Sequence, residues 1–112
     1  IIVEKPLARN LKEAGTLVRM AKALHIPTAY FENQIHMPAI VQARAQLAQV
    51  ETAMGAAHLA RSAEEHGGPH EPWFWDPTTQ GGGVCCDMGC HSIACGMFML
   101  TPSGKPVDHQ PH

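Results

Sequence analysis

The 112-residue sequence predicts an α/β chain, and three stretches near its start carry that prediction. Ile1, Ile2 and Val3 are consecutive β-branched residues, and Pro6, which lacks a backbone donor, stops the run. They read as the end of a buried strand, with Glu4, Lys5 and Pro6 at its carboxyl end. Leu7, Leu11, Ala14, Leu17, Val18, Ala21 and Leu24 then recur at helical spacing, and Asn10 with Glu13 forms a capping-box-like start, so a helix is predicted over 11–24. His25, Ile26 and Pro27 end it. Residues 28–32 hold one β-branched and two aromatic side chains and read as a second short strand. Strand, helix, strand is the order of a parallel α/β unit.

Further along, Pro38 suits the first turn of a second helix in which Ile40, Ala43 and Leu47 share a face. Propensity alone makes residues 52–65 helical, with Gly55 as a weak point. Gly67, Gly68, Pro69, Pro72 and Pro77 punctuate a long segment that reaches Gly83 and has Trp73, Phe74 and Trp75 at its centre. Irregular segments of that length inside a folded chain are usually functional or disordered. From residue 84 to 100 apolar residues resume and predict a third helix, despite Gly89 and Gly96. The ending from residue 101 is polar and rich in proline.

Composition excludes several classes of partner. Eight Lys and Arg against ten Asp and Glu give a net charge of -2, so no basic stripe exists for nucleic acid or an acidic membrane surface. The most apolar region, residues 81–100, is interrupted by Asp87, His91 and glycines and falls short of the run of about 20 apolar residues that a membrane span needs. A soluble chain is expected. Cys85, Cys86, Cys90 and Cys95 lie too close together to staple distant parts of a secreted scaffold, which favours a reducing, cytoplasmic setting.

Two constellations could carry chemistry. Asp87 and His91 stand four residues apart, so on a helix the carboxylate can fix the imidazole's tautomer and raise its proton affinity. The plain alternative is an exposed helix pair worth a few tenths of a kcal/mol. Position favours the acid/base pair, since Gly81, Gly82 and Gly83 lead into the helix and leave its first turn open to a ligand. Cys85, Cys86, Cys90 and His91 offer a rival, a zinc site, but one helix cannot wrap a tetrahedral ion. Cys86, Cys90, Ile93 and Met97 fall on one helical face and read as core, so no metal is expected. Lys5, at a strand end, lies where α/β sheets gather ligands. The remaining histidines, at 25, 36, 58, 66, 70, 109 and 112, are scattered and read as surface or loop positions.

Glu4-Lys5-Pro6 at a strand end, followed about 75 residues later by Gly81-Gly82-Gly83-x-x-x-Asp87-x-x-x-His91, resembles the Gfo/Idh/MocA family of oxidoreductases. The resemblance runs through nearly the whole chain and takes in Asn33, Pro38 and the aromatic loop from Trp73 to Pro77. It implies a fold class: the end of a Rossmann domain, residues 1–34, and the start of an α/β domain with a large open, mostly antiparallel sheet, residues 35–112. On that reading residues 55–64 form a strand of the large sheet, against their helical propensity.

The resemblance also implies a site. Lys5 matches the family's lysine beside the nicotinamide and the reacting hydroxyl, His91 its acid/base and Asp87 the companion near substrate. Glu4, Lys5, Pro6, Asn33 and Trp73 match positions that contact the nicotinamide half of NAD or NADP. Phe74 departs from the pattern, because many members have Arg after that Trp. The implied reaction moves a hydride between the cofactor and a sugar, polyol or similar small molecule, in a protein that is homo-oligomeric when full length. A positioned histidine contributes roughly 10²- to 10⁴-fold to the accompanying proton transfer. Redox-assisted cleavage of a glycosidic bond is a variant. The sequence lacks G-x-G-x-x-G and begins without Met, so it reads as an internal fragment, inactive alone. Two other readings are a non-catalytic dimerisation module and a Cys/His metal-binding segment.

Overall fold

The structure is a computed structural model that describes residues 1–102. His109 and His112, expected on the surface, lie outside the described residues. The chain divides into two compact units. One comprises Ile1–Glu32 and Glu64–Cys90; the other comprises Asn33–Ala63 and the chain from His91 onward.

The first unit opens with strand β1, Ile2–Glu4, which pairs in parallel with β2, Ala29–Phe31, in the register Ile2 to Ala29, Val3 to Tyr30 and Glu4 to Phe31. Between them runs helix α1, Leu11–Ala23. Its start follows from the residues predicted to cap it: the Asn10 side chain accepts from the Glu13 backbone N–H at 3.0 Å. Its end is a Schellman turn, in which Ile26 N–H bonds the Ala21 carbonyl and His25 N–H the Lys22 carbonyl, at 3.0 and 3.2 Å. After residue 64 the unit continues through a 3₁₀ turn, Pro72–Trp75, and the one-turn helix α3, Pro77–Gln80. Asp76 caps α3, accepting from the Thr78 N–H and hydroxyl at 2.8 and 2.7 Å. A π-helical turn, Cys85–Gly89, closes this unit's helical elements.

The second unit begins with a 3₁₀ turn, Gln34–His36, and helix α2, Pro38–Met54, with Pro38 in its first turn as predicted. Its last helix is α4, Cys90–Leu100, from His91 on. The organising contact here is a buried cation. Arg44 donates through Nε and Nη2 to the Thr101 carbonyl, at 3.2 and 2.6 Å, and through Nη1 to Glu51 at 3.1 Å. The other oxygen of Glu51 accepts from the Ala57 N–H at 3.1 Å, tying the chain beyond α2 back to it.

Several expectations are corrected by this fold. Among the described residues the strands are β1 and β2, paired in parallel, and the rest is largely helical, so the large antiparallel sheet is absent and two three-residue strands do not make the end of a Rossmann sheet. Residues 55–64 are neither strand nor helix: α2 stops at Gly55, and among the described residues no strand lies beside the Ala-rich segment to complete a ladder with its backbone. β1 is not buried, for Ile2 is 77% exposed. Cys95 is the one buried hydrophobic residue among those described, and Ile93 is exposed, so the face shared by Cys86, Cys90, Ile93 and Met97 is not a core face. Pro77–Leu100 is long and apolar enough to cross a membrane by length and composition, contrary to expectation. It is nonetheless broken at Gly81, where φ is +92°, and carries an ion-paired Asp87 in its middle.

Candidate functional site

The site in the first unit is built on the residue that follows β1. Lys5 leaves the strand through a cis bond to Pro6 and reaches the π-helical turn 82 residues further on. Its Nζ donates to the Asp87 carbonyl at 2.8 Å and lies 3.1 Å from Asp87 Oδ1, with both side chains less than a fifth exposed. A π-helical turn offsets carbonyls from the ordinary helical ladder, and such turns recur at functional sites. Here the Asp87 carbonyl accepts from Lys5 and also from the Cys90 thiol at 3.3 Å.

Two further ties bring the segment after Pro6 against the segment before Asp87. Arg9 donates to the Thr78 carbonyl and pairs with Glu13 one turn into α1. That pair raises the Arg9 guanidinium above its ordinary value, chiefly through the hydrogen bond to Glu13, and lowers Glu13 for the same reason. Gly81 packs so closely on Arg9 that a Cβ there would stand 2.5 Å from the Arg9 carbonyl oxygen.

Asp87 also forms part of the wall of a cavity of about 530 Å³ within this unit, together with His66, Phe74, Trp75, Gln80 and Met88. His66 faces Met88, its Nε2 lying 3.0 Å from the sulfur, while its Nδ1 accepts from the Gly68 N–H at 3.0 Å. Trp73 stacks on Phe74 with ring centroids 3.8 Å apart, but Phe74 and Trp75 face the cavity. Near the strand ends, Tyr30 is held above the ordinary phenol range, first by burial and then by the nearby Cys90, Glu32 and Glu4.

The structure thus joins Lys5 and Asp87, with Glu4 and Pro6 exposed on either side of Lys5 and Glu4 accepting from the Lys5 N–H at 3.3 Å. Asn33 and His91 belong to the second unit, where Asn33 is exposed and accepts from the His36 N–H at 3.0 Å, and His91 is buried. None of the four cysteines is in a disulfide. Sequence reasoning missed Gln80 and Arg44. Nothing local marks Arg44, which acts through its tertiary position, whereas Gln80 acts on Gly83 only three residues on.

A short parallel strand pair whose first strand delivers a lysine to an aspartate on a π-helical turn, beside an aromatic-walled cavity, defines the class of site. The chain is 26% identical over 106 residues to the Saccharomyces cerevisiae protein named Uncharacterized protein YMR315W, a match that takes in 94% of this chain and 30% of that protein. It therefore spans less than a third of the curated relative it matches. No protein-family profile matches the chain, and no solved structure matches it.

Proposed function

We propose that the chain is part of a nicotinamide-dependent oxidoreductase of the Gfo/Idh/MocA type, acting on a sugar, polyol or similar hydroxylated small molecule. The observation that carries this reading is the meeting of Lys5 with Asp87, 82 positions further along the chain, where Asp87 itself borders a cavity. An ammonium has three donors, and Asp87 engages it through its carbonyl and its carboxylate, so a further N–H is left for a substrate oxygen. A cation so placed stabilises negative charge that develops on a hydroxyl oxygen as its proton leaves. Asp87 holds the amine in place. His91 is the group assigned to take the proton.

NAD or NADP, when bound, supplies the hydride acceptor or donor. The chain's own residues suit only the nicotinamide end: Glu4, Lys5 and Pro6 form an open strand terminus, Asn33 and Trp73 complete the proposed set, and no glycine-rich pyrophosphate turn lies in the sequence. Cysteines outside any disulfide fit a reducing compartment such as the cytoplasm.

The test uses the whole protein. Turnover of a sugar and polyol panel is followed by nicotinamide absorbance, with Lys5→Ala and His91→Ala each expected to lower kcat about 10²- to 10⁴-fold while circular dichroism stays unchanged. Full activity in both variants, or no nicotinamide turnover in the wild type, would sink the reading. A second reading, a non-catalytic module that pairs copies of the protein, draws on the many exposed apolar side chains, among them Leu11, Met54 and Val84. It predicts that neither substitution changes function.

A further inference from the structure

We propose that Gln80 is a positioning residue: by clamping both backbone groups of Gly83 it sets where the turn carrying Asp87 begins, and so holds Asp87 against Lys5. Gln80 is 6% exposed. Its Oε1 accepts from the Gly83 N–H, and its Nε2 donates to the Gly83 carbonyl at 2.7 Å. Two bonds to one residue define position and orientation together, and at this burial water is poorly placed to replace either. Gly83 has a φ of +59°, in the left-handed region, so its own backbone preference does not dictate the path into the π-helical turn.

The clamp is itself anchored. The Gln80 N–H bonds the Asp76 carbonyl at 2.9 Å, the Thr79 hydroxyl bonds the Trp73 carbonyl at 2.9 Å, and Arg9 holds the Thr78 carbonyl. Residues 73–83 thus form a braced block, and Gln80 is the side chain through which that block grips the start of the Asp87 turn. Because Gln80 also lines the cavity that Asp87 borders, loosening it displaces the wall and the ion pair together.

The relevance of this clamp to hydride transfer rests on the proposed function, but the clamp can be read without it. In the whole protein, acylation of Lys5 by acetic anhydride is measured by mass spectrometry relative to Lys12 and Lys22, which are exposed. In the wild type Lys5 is expected to react more slowly than both. Gln80→Met removes both hydrogen bonds at similar length, and Gln80→Glu keeps the shape while turning the donor into an acceptor that faces the Gly83 carbonyl; the second covers a failure of the first to fold. In either folded variant the relative rate of Lys5 should rise roughly five-fold. A purely structural Gln80 would lower Tm and leave that ratio alone, and an unchanged ratio overturns the proposal. Where turnover exists, kcat should fall about ten-fold at an unchanged cofactor KM. A raised Lys5 ratio without any wild-type turnover upholds the clamp and removes the proposed function.

Discussion

The ammonium of Lys5 lies 3.1 Å from the carboxylate of Asp87 and 2.8 Å from its carbonyl, although the two residues stand 82 positions apart in the chain. Neither side chain is as much as a fifth exposed, so the pair is screened less than a surface ion pair. Removing one member leaves the other in a partly desolvated place. In a double-mutant cycle of Lys5→Met and Asp87→Asn, followed by denaturant unfolding, each single change should cost about 1–3 kcal/mol and the coupling should be about 1–2 kcal/mol. Strict additivity would show that the pair contributes nothing.

Gly81 cannot accept a side chain without movement of the backbone it packs against. Its φ is +92°, and an added Cβ would meet the Arg9 carbonyl oxygen at 2.5 Å, a backbone atom with little room to yield. Gly81→Ala should destabilise the protein by about 2–4 kcal/mol, whereas Gly67→Ala, which meets nothing within 4 Å and needs no unusual backbone, should stay within about 0.5 kcal/mol. Thermal unfolding of the two variants makes the comparison.

His25 occupies the left-handed position of the Schellman turn after α1, with φ at +51°. An L side chain is strained there and glycine is not. His25→Gly should therefore raise stability by about 0.5–1 kcal/mol, and His25→Val should lower it by at least as much, measured as shifts in unfolding midpoint.

Glu51 is held below its ordinary value of 4.5, first by the Ala57 N–H and then by Arg44. A carboxyl depressed in the folded state contributes stability above its unfolded value, and that contribution is lost as pH falls below 4.5 and through the folded value. Unfolding followed between neutral pH and pH 3 should show this loss. Arg44→Met should raise the Glu51 value only part of the way, because the Ala57 N–H remains. A titration of Glu51 by NMR that returned fully to the ordinary range would show that the N–H bond does not form.

What was legible in the sequence was local. The Asn10 and Glu13 spacing placed the start of α1, Pro38 placed the start of α2, and the β-branched and aromatic runs placed β1 and β2, because each signal acts within a few residues of itself. Residues 55–64 misled in both directions. Alanine favours a helix only if the backbone continues into one, which Gly55 prevents, and a strand forms only beside a partner, which the described residues do not provide there. The face of α4 that carries Ile93 reads as core in the sequence, yet Ile93 is exposed, as are Leu17 and Val18 on the apolar stripe of α1, since periodicity specifies a face and not what covers it.

By itself, then, the sequence determined where α1 and α2 begin and which residue types could support proton and charge chemistry. Tertiary structure alone decided that Lys5 grips Asp87 and that Arg44 is buried against Thr101 and Glu51. Contacts between residues far apart in the chain depend on the path of everything between them, whereas a cap or a helical stripe depends only on its neighbours.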